Sequence, residues 1–404
     1  MIESLHERYH HQLAHLSDDV FLIQLINDIG EHCGWWHPDR PWTRLSGKFN
    51  PRQEVFATLV YHTTDTPQEL CLIEVSSQSP QGDIPEQSCI FLDHVGWFRF
   101  TRFPEDPALP MLASVLTEGT LERVVQYLPH HRCTIQFRQI ENEGPGFAKV
   151  FDSHIGRRIH SDGVALWQVA LEGDLGFAVP RPTRWDDHTL TLWQMAVKGQ
   201  SITIAQLFDS NGPTLAYTMG QAIASLHQSR LTPSILFDKE TVLQQAKRHG
   251  TILVHREPHL RHEVHSILNQ LENLHSRTLP QKLVPLHTDL HPVQWLEHET
   301  GLGLVDFDRL ALGDPEYDVA SFLTELEFKD KGRGRMIHVM DAFRRGHESV
   351  APPLHDSLLH AYRAQKWLAK ALRALGKIHI DGVLRATQCL EQAQQCLLEK
   401  ASPC

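Results

Sequence analysis

The chain holds 404 residues, 41% hydrophobic and 22% charged, the balance of an ordinary soluble globular protein with enough length for two or three packed units. Its net charge of -11, with histidine neutral, argues against nucleic-acid binding through general basicity and against attachment to an anionic membrane surface. No run approaches the roughly 18 uninterrupted apolar residues of a membrane span.

The start, MIESLHERYHHQLAHL, carries acids and histidines where a signal peptide needs a basic start and an apolar run. Seven cysteines (Cys33, Cys71, Cys89, Cys133, Cys389, Cys396 and Cys404) are scattered without a CxxC pair. That pattern fits reduced thiols better than a disulfide framework, and a cytoplasmic protein is expected.

Residues 1–35 read as one or two amphipathic helices, with VFLIQLIND placing its apolar residues on one helical face. GWWHPDRPW breaks that period. EVFATLVYHT, ELCLIEVSS and GWFRFTRF then predict a small antiparallel sheet, and a short helix is expected around LPMLASVL. A second β-rich block follows: VVQYL and CTIQFRQI flank PHHR, FAKVF follows EGPG, and TLTLWQMA follows a turn-like RWDDH. RRIHSDGVALWQVAL reads as a helix between the last two, so the expected order is strand, strand, strand, helix, strand. Beyond Gly199 the chain is mostly helical by period over 202–230, 238–277 and 331–400, interrupted by loops and short apolar runs between Val284 and Tyr317.

Those loops hold the densest chemistry. HTDLHPVQWL (287–296) is followed by LVDFD and then GDPEYD. With 28 histidines in the chain, clusters of histidine arise by chance, and the acids carry the argument. A loop acid, an amide five residues later, and a hairpin leading to a second acid suit phosphoryl transfer from a nucleotide. That reaction needs one carboxylate to accept the proton of the attacking hydroxyl. It also needs an amide oxygen and a second carboxylate to hold Mg2+ against the phosphates. The ordered pair of motifs favours this chemistry over a polar loop pair. A rival enzyme reading takes His287, Asp289 and His291 as zinc ligands of a metal-dependent hydrolase.

HTDLHPVQWL…LVDFDRLALGDPEYDVASFL resembles the phosphotransferase family of aminoglycoside kinases and choline kinase, whose signature is HGDLHPGN followed by IDFxxxxxGDPxxDLA. Maltokinase-like members carry Gln where others carry Asn, as Gln294 does here. The likeness extends upstream through DPALPMLASVL, QYLPHHRCTIQFR and GFAKVF, and covers residues 100–330 better than the first hundred. It implies an α+β, bilobal protein-kinase-like fold. The β-rich N-lobe would occupy 111–198 and the helical C-lobe, with the catalytic loops and substrate pocket, 199–404. An extra α/β segment, 1–110, would precede them.

The resemblance implies ATP and Mg2+ as cofactors and a small-molecule hydroxyl (aminoglycoside, sugar, amino sugar or related metabolite) as acceptor. Asp289 would be the catalytic base, and Gln294 and Asp306 the Mg2+ ligands. His287 would shape the catalytic loop, Asp314 would brace it, and Asp308 would approach a second metal or the substrate. Lys149, inside the alternating FAKVF, would meet the nucleotide phosphates, and Gln194 to Val197, Ala196 included, would offer backbone groups to the adenine. His130, His131 and Arg132 are candidates for positive charge over the phosphates, and His227 for a satisfied core histidine.

Two departures support a further rival, a nucleotide-binding module without activity. RRIHSDGVALWQVALE offers no glutamate before Glu172 to pair with Lys149, with Asp162 the nearest acid, and YLPHHRC has no glycine. For a cationic or polyhydroxyl acceptor, the C-terminal acids Asp318, Glu325 and Glu327 are the candidate contacts.

Overall fold

The computed structural model describes residues 4–37, 39–66, 68–81, 86–140, 143–277, 282–330 and 336–399. It opens with α1 (Leu5–Arg8), α2 (His10–Ser17) and α3 (Asp19–Cys33). Asp18 caps α3 by accepting the Phe21 N–H, and Gly34 ends it in the left-handed region that a side chain would resist. Five antiparallel strands follow: β1 (Trp42–Phe49), β2 (Val55–Thr63), β3 (Leu70–Ser76), β4 (Cys89–Leu92) and β5 (Gly96–Arg102), in the order β1-β2-β3-β5-β4. Every residue of β3 is buried, because the sheet is covered on both faces. Leu16, Leu22 and Ile26 pack on one side against Phe56, Tyr61 and Ile73. Val60, Leu70 and Leu72 face the next sheet on the other.

After α4 (Leu112–Val115) come β6 (Thr120–Leu128), β7 (Arg132–Ile140), β8 (Gly144–Phe151), α5 (Ile155–Leu171), β9 (Arg181–Asp186) and β10 (Thr191–Met195). This second antiparallel sheet has the order β6-β7-β8-β10-β9. In this second sheet one strand was unforeseen. RPTRWD is a strand and not a lead-in to a turn, since Asp186 accepts the N–H groups of His188 and Thr189 and the chain reverses only after it.

The hairpin tip between β6 and β7 is used structurally. His130, at φ 64°, bonds Asp106 at 3.1 Å and Glu74 at 3.0 Å, and so ties the second sheet to the buried acid of β3. These carboxylates raise its pKa from 6.5 to about 10 despite opposing burial. A raised histidine stabilises the fold fully below its unfolded value, and the stabilisation is lost as pH rises through the folded one. The melting-temperature advantage of wild type over His130→Gln should therefore be largest below pH 6.5 and fade towards pH 10, as parallel melts would show.

The remainder is helical: β11 (Gln200–Ser201), α6 (Ile204–Phe208), α7 (Gly212–Gln228), α8 (Lys239–Arg256), α9 (Arg261–Arg277), β12 (Val284–Leu286), β13 (Trp295–His298), β14 (Gly301–Leu304), β15 (Ala311–Gly313), α10 (Glu316–Asp330), α11 (Ile337–Glu348), α12 (Asp356–Leu375) and α13 (Gly382–Glu399). Of the expected helical stretch 331–400, residues 331–335 and 400 lie outside the described residues, as does Cys404. Helices α7 and α11 approach closely because each offers a glycine. A Cβ on Gly220 or Gly346 would lie 2.0 Å from the Phe343 or Tyr217 carbonyl oxygen.

The first segment also reaches this lobe. Arg256 bonds Asn50 and the Leu375 carbonyl, and Ile378 joins the core beneath β1. No helix among the described residues is long and apolar enough to cross a membrane.

Candidate active site

Lys149 projects from β8, flanked in the sheet by β7 and β10, and is 6% exposed. A buried ammonium needs anionic partners, and it finds them across the lobe boundary. Its Nζ lies 3.1 Å from Asp306 Oδ1 and 2.5 Å from Asp308 Oδ1. Burial alone would lower its pKa, but the two carboxylates outweigh burial and raise it. Asp162 is not its partner: that acid accepts from Arg158 and Ser234. Arg158 in turn reaches the Asp308 carbonyl at 3.3 Å, and Arg132 binds the Asp308 carboxylate at 2.7 Å. Of the three basic residues at the hairpin, only Arg132 meets the site. His130 is held as described, and His131 pairs with Asp152.

The loop after β12 is anchored from behind by Asp318, in the first turn of α10. Its carboxylate accepts the N–H groups of His287 and Thr288, both at 2.7 Å, and contacts His227 at 3.3 Å. Burial opposes its ionisation, but these partners keep its pKa below the usual carboxylate range. His227 is thus the satisfied core histidine that its helix suggested. Asp314 does not touch the loop. It accepts the Tyr362 hydroxyl at 2.6 Å, so the bracing expected of it falls to Asp318, four residues on. His287 Nε2 donates to the Val305 carbonyl at 3.0 Å, and its ring packs on Phe307. It thereby links the loop to the segment that follows the hairpin.

The hairpin β13–β14 folds the second acid back beside the first loop. Trp295 pairs with Leu304, and the Val305 N–H donates to the Gln294 carbonyl at 3.2 Å. Gln294 and Asp306 therefore stand at the same open end. Gln294 Oε1 accepts the His291 N–H, leaving the amide oxygen a second lone pair. Asp306 adopts φ 72°, a conformation aspartate tolerates better than most residues, and its side chain stays 41% exposed. An amide and a carboxylate oxygen are the hard donors that Mg2+ takes.

Asp289 is 3.2 Å from His291, which leans 3.5 Å from Glu325. Burial would raise the Asp289 pKa, but His291, Lys366 and Arg309 hold it well below the carboxylate range. The two loop histidines face different partners, His287 the Val305 carbonyl and His291 two acids, so they share no metal. Among the described residues no group of three or more His, Cys, Asp and Glu could hold one. The metallohydrolase reading is not favoured.

Gln194 and Ala196 close the lobe connection. Gln194 pairs with Phe147 in the sheet, and the Ala196 N–H donates to the Pro145 carbonyl at 3.0 Å.

Residues 166–353, which span both acid-bearing loops, match the sequence model of the phosphotransferase enzyme family. Over these residues the chain is similar to that family. No curated protein matches it. Among solved structures, a choline kinase from Cryptosporidium parvum Iowa II aligns with a TM-score of 0.51 at 12% identity, over 70% of this chain and 90% of that one. A thermostable mutant of the aminoglycoside phosphotransferase APH(4)-Ia aligns with a TM-score of 0.51 at 13% identity, over 72% and 99%. These likenesses confirm the bilobal kinase-like fold, and the family match over 166–353 marks the chain as a small-molecule kinase.

In this phosphotransferase the acids beside Asp289 already carry cations. Glu325 bonds Lys370 at 2.5 Å, with Lys329 at 3.8 Å, and Glu327 pairs with Arg363. Lys366 lies 3.6 Å over the Tyr317 ring, and burial pushes its pKa down to about 7. The sequence reading passed over Lys366 and Lys370. Their signal was the i, i+4 spacing from Tyr362 along α12, which puts all three on one face.

Proposed function

We propose that the protein transfers the γ-phosphoryl group of ATP to a hydroxyl of a neutral, polyhydroxylated small molecule. Asp289 accepts the proton as the acceptor oxygen attacks phosphorus, the new O–P bond forms and the bond to the departing ADP oxygen breaks. Lys149, fixed by Asp308, offers its charge to the phosphates. Arg132 and Arg158 keep Asp308 in place, which supplies from the DFD loop the anchor that α5 lacks. Gln294 and Asp306 would hold Mg2+, whose contribution is to neutralise phosphate charge. Gln194 and Ala196, in the link between the lobes, would run past the adenine. Catalysis on this scheme is mostly positioning and charge neutralisation.

The single observation that carries the reading is the Lys149–Asp306–Asp308 cluster joining the lobes beside the Asp289–Gln294 loop. An inactive module is disfavoured because Asp289, Gln294, Asp306 and Lys149 are all present in one arrangement. The acceptor class follows from charge: Asp318, Glu325 and Glu327 are each compensated within the protein, so a polycationic acceptor finds no unpaired acid among them. Gln294 is in keeping with a maltokinase-like branch.

ADP release with a panel of maltose, amino sugars, aminoglycosides and choline tests this. Turnover is expected with the neutral members and not with the polycations. A preference for aminoglycosides would overturn the acceptor class, and binding of ATP without turnover on any member would favour the inactive module.

A further inference from the structure

Thr288 adopts φ 66°. A β-branched residue resists that left-handed conformation, and it persists only where the surroundings over-determine it. Here every polar group of Thr288 is engaged. Its N–H donates to Asp318 Oδ1 at 2.7 Å, and its hydroxyl donates to the Arg309 carbonyl at 2.8 Å. Its carbonyl accepts from Lys366 Nζ at 3.2 Å. The first two restraints come from neighbouring parts of the same loop system. The third comes from α12, far along the chain.

Lys366 is itself well placed to be a fixed post. Its Nζ sits 3.6 Å from the centroid of the Tyr317 ring, a contact that fixes where the side chain ends. Tyr317 is in turn wedged edge-on between Phe237 and Tyr362. The carbonyl that Lys366 holds belongs to the peptide unit leading directly into Asp289, so its orientation sets where the Asp289 carboxylate points.

We infer that Lys366 is a positioning residue for Asp289, acting through the Thr288 carbonyl to hold a strained left-handed turn in the catalytic loop. The inference rests on the phosphotransfer reading, which assigns Asp289 its role, but the strain and its three restraints stand apart from that assignment. Lys366 needs no contact with nucleotide or acceptor. Its task exists because residue 288 is a threonine, and the task shrinks if the residue there prefers φ > 0.

That dependence gives the test. Wild type, Lys366→Met, Thr288→Gly and the double variant are compared for thermal unfolding and for turnover of Mg-ATP, with kcat and KM for ATP separated. Lys366→Met should lower kcat about a hundredfold, the loss expected when a reacting group is misplaced by about an ångström, with KM for ATP unchanged. In the Thr288→Gly background the same substitution should cost less than about tenfold, because glycine holds the conformation unaided. Lys366→Arg, which keeps a donor and the ring contact, should retain most of the turnover. Melting temperatures should show the same coupling, with Lys366→Met more damaging beside threonine than beside glycine.

Equal losses of kcat in both backgrounds would overturn the inference, as would coupling in melting temperature alone, which would make Lys366 a structural pin. A wild type that turns over no Mg-ATP would sink the phosphotransfer reading instead. The thermal cycle would then decide on the restraint, with additive changes counting against it.

Discussion

Asp289→Asn should lower turnover by about 10²–10⁴-fold while leaving ATP affinity and the melting temperature close to wild type. The amide keeps the shape and a contact with His291, 3.2 Å away, but it no longer accepts a proton. His291, Lys366 and Arg309 keep the native carboxylate ionised, so the wild-type base is available throughout the neutral range. Steady-state ADP release, titration of ATP binding and thermal unfolding of both proteins check the three parts together. If the variant retains more than about a tenth of wild-type turnover, Asp289 is not the base. Loss of ATP binding in step with turnover would place it in nucleotide recognition.

The second large effect is on folding. Asp318→Ala removes the acceptor of the His287 and Thr288 N–H groups and the partner of His227, all in a site with no solvent access. Orphaning the two buried backbone donors, at about 1–3 kcal/mol each, costs about 2–6 kcal/mol. The variant should show a much lower denaturant midpoint or fail to accumulate as folded protein, and what folds should turn over poorly because the loop before Asp289 is released. A variant with a wild-type midpoint would mean that the loop is held by the Val305 and Arg309 carbonyls alone. Acid should act in the same direction. The Asp318 pKa is depressed in the fold, so its stabilisation is present above the unfolded value and disappears as pH falls through the folded one.

The acid-bearing loops were legible because their logic is local. Asp289, Gln294 and Asp306 are placed by a loop and a hairpin, whose register follows from sequence spacing alone. Lys149 was legible as a lysine that an alternating strand would bury. Its anion was not, because the partner is chosen by how the lobes meet. Asp308 occupies that place, and Arg132 and Arg158, from β7 and α5, secure it.

Asp314 and Asp318 both belong to GDPEYD. Only the turn into α10 decides that the second faces the catalytic loop while the first faces Tyr362. Strand β1 was missed because WTRLSGKF is mostly half-buried and polar, and a β-bulge between Arg44 and Ser46 breaks its alternation. Lys366 was hidden in the long helical stretch 331–400, where its helical spacing alone gave it no distinct role. The one clue was Thr288 itself, which stands where the family signature HGDLHPGN has glycine, a residue that takes φ > 0 without strain.

Transfer of the γ-phosphoryl group from ATP to a carbon-bound hydroxyl, with Asp289 as base, leaves its mark on the phosphorus. The most direct measurement follows the phosphorus itself. The protein is incubated with Mg-ATP and neutral polyhydroxylated acceptors, and ³¹P resonances and product masses are recorded for wild type and Asp289→Asn. Wild type should form a new phosphate monoester in equal amount with ADP, and the variant should form none. The same ester from both proteins, or ADP accompanied only by inorganic phosphate with every acceptor, would contradict this.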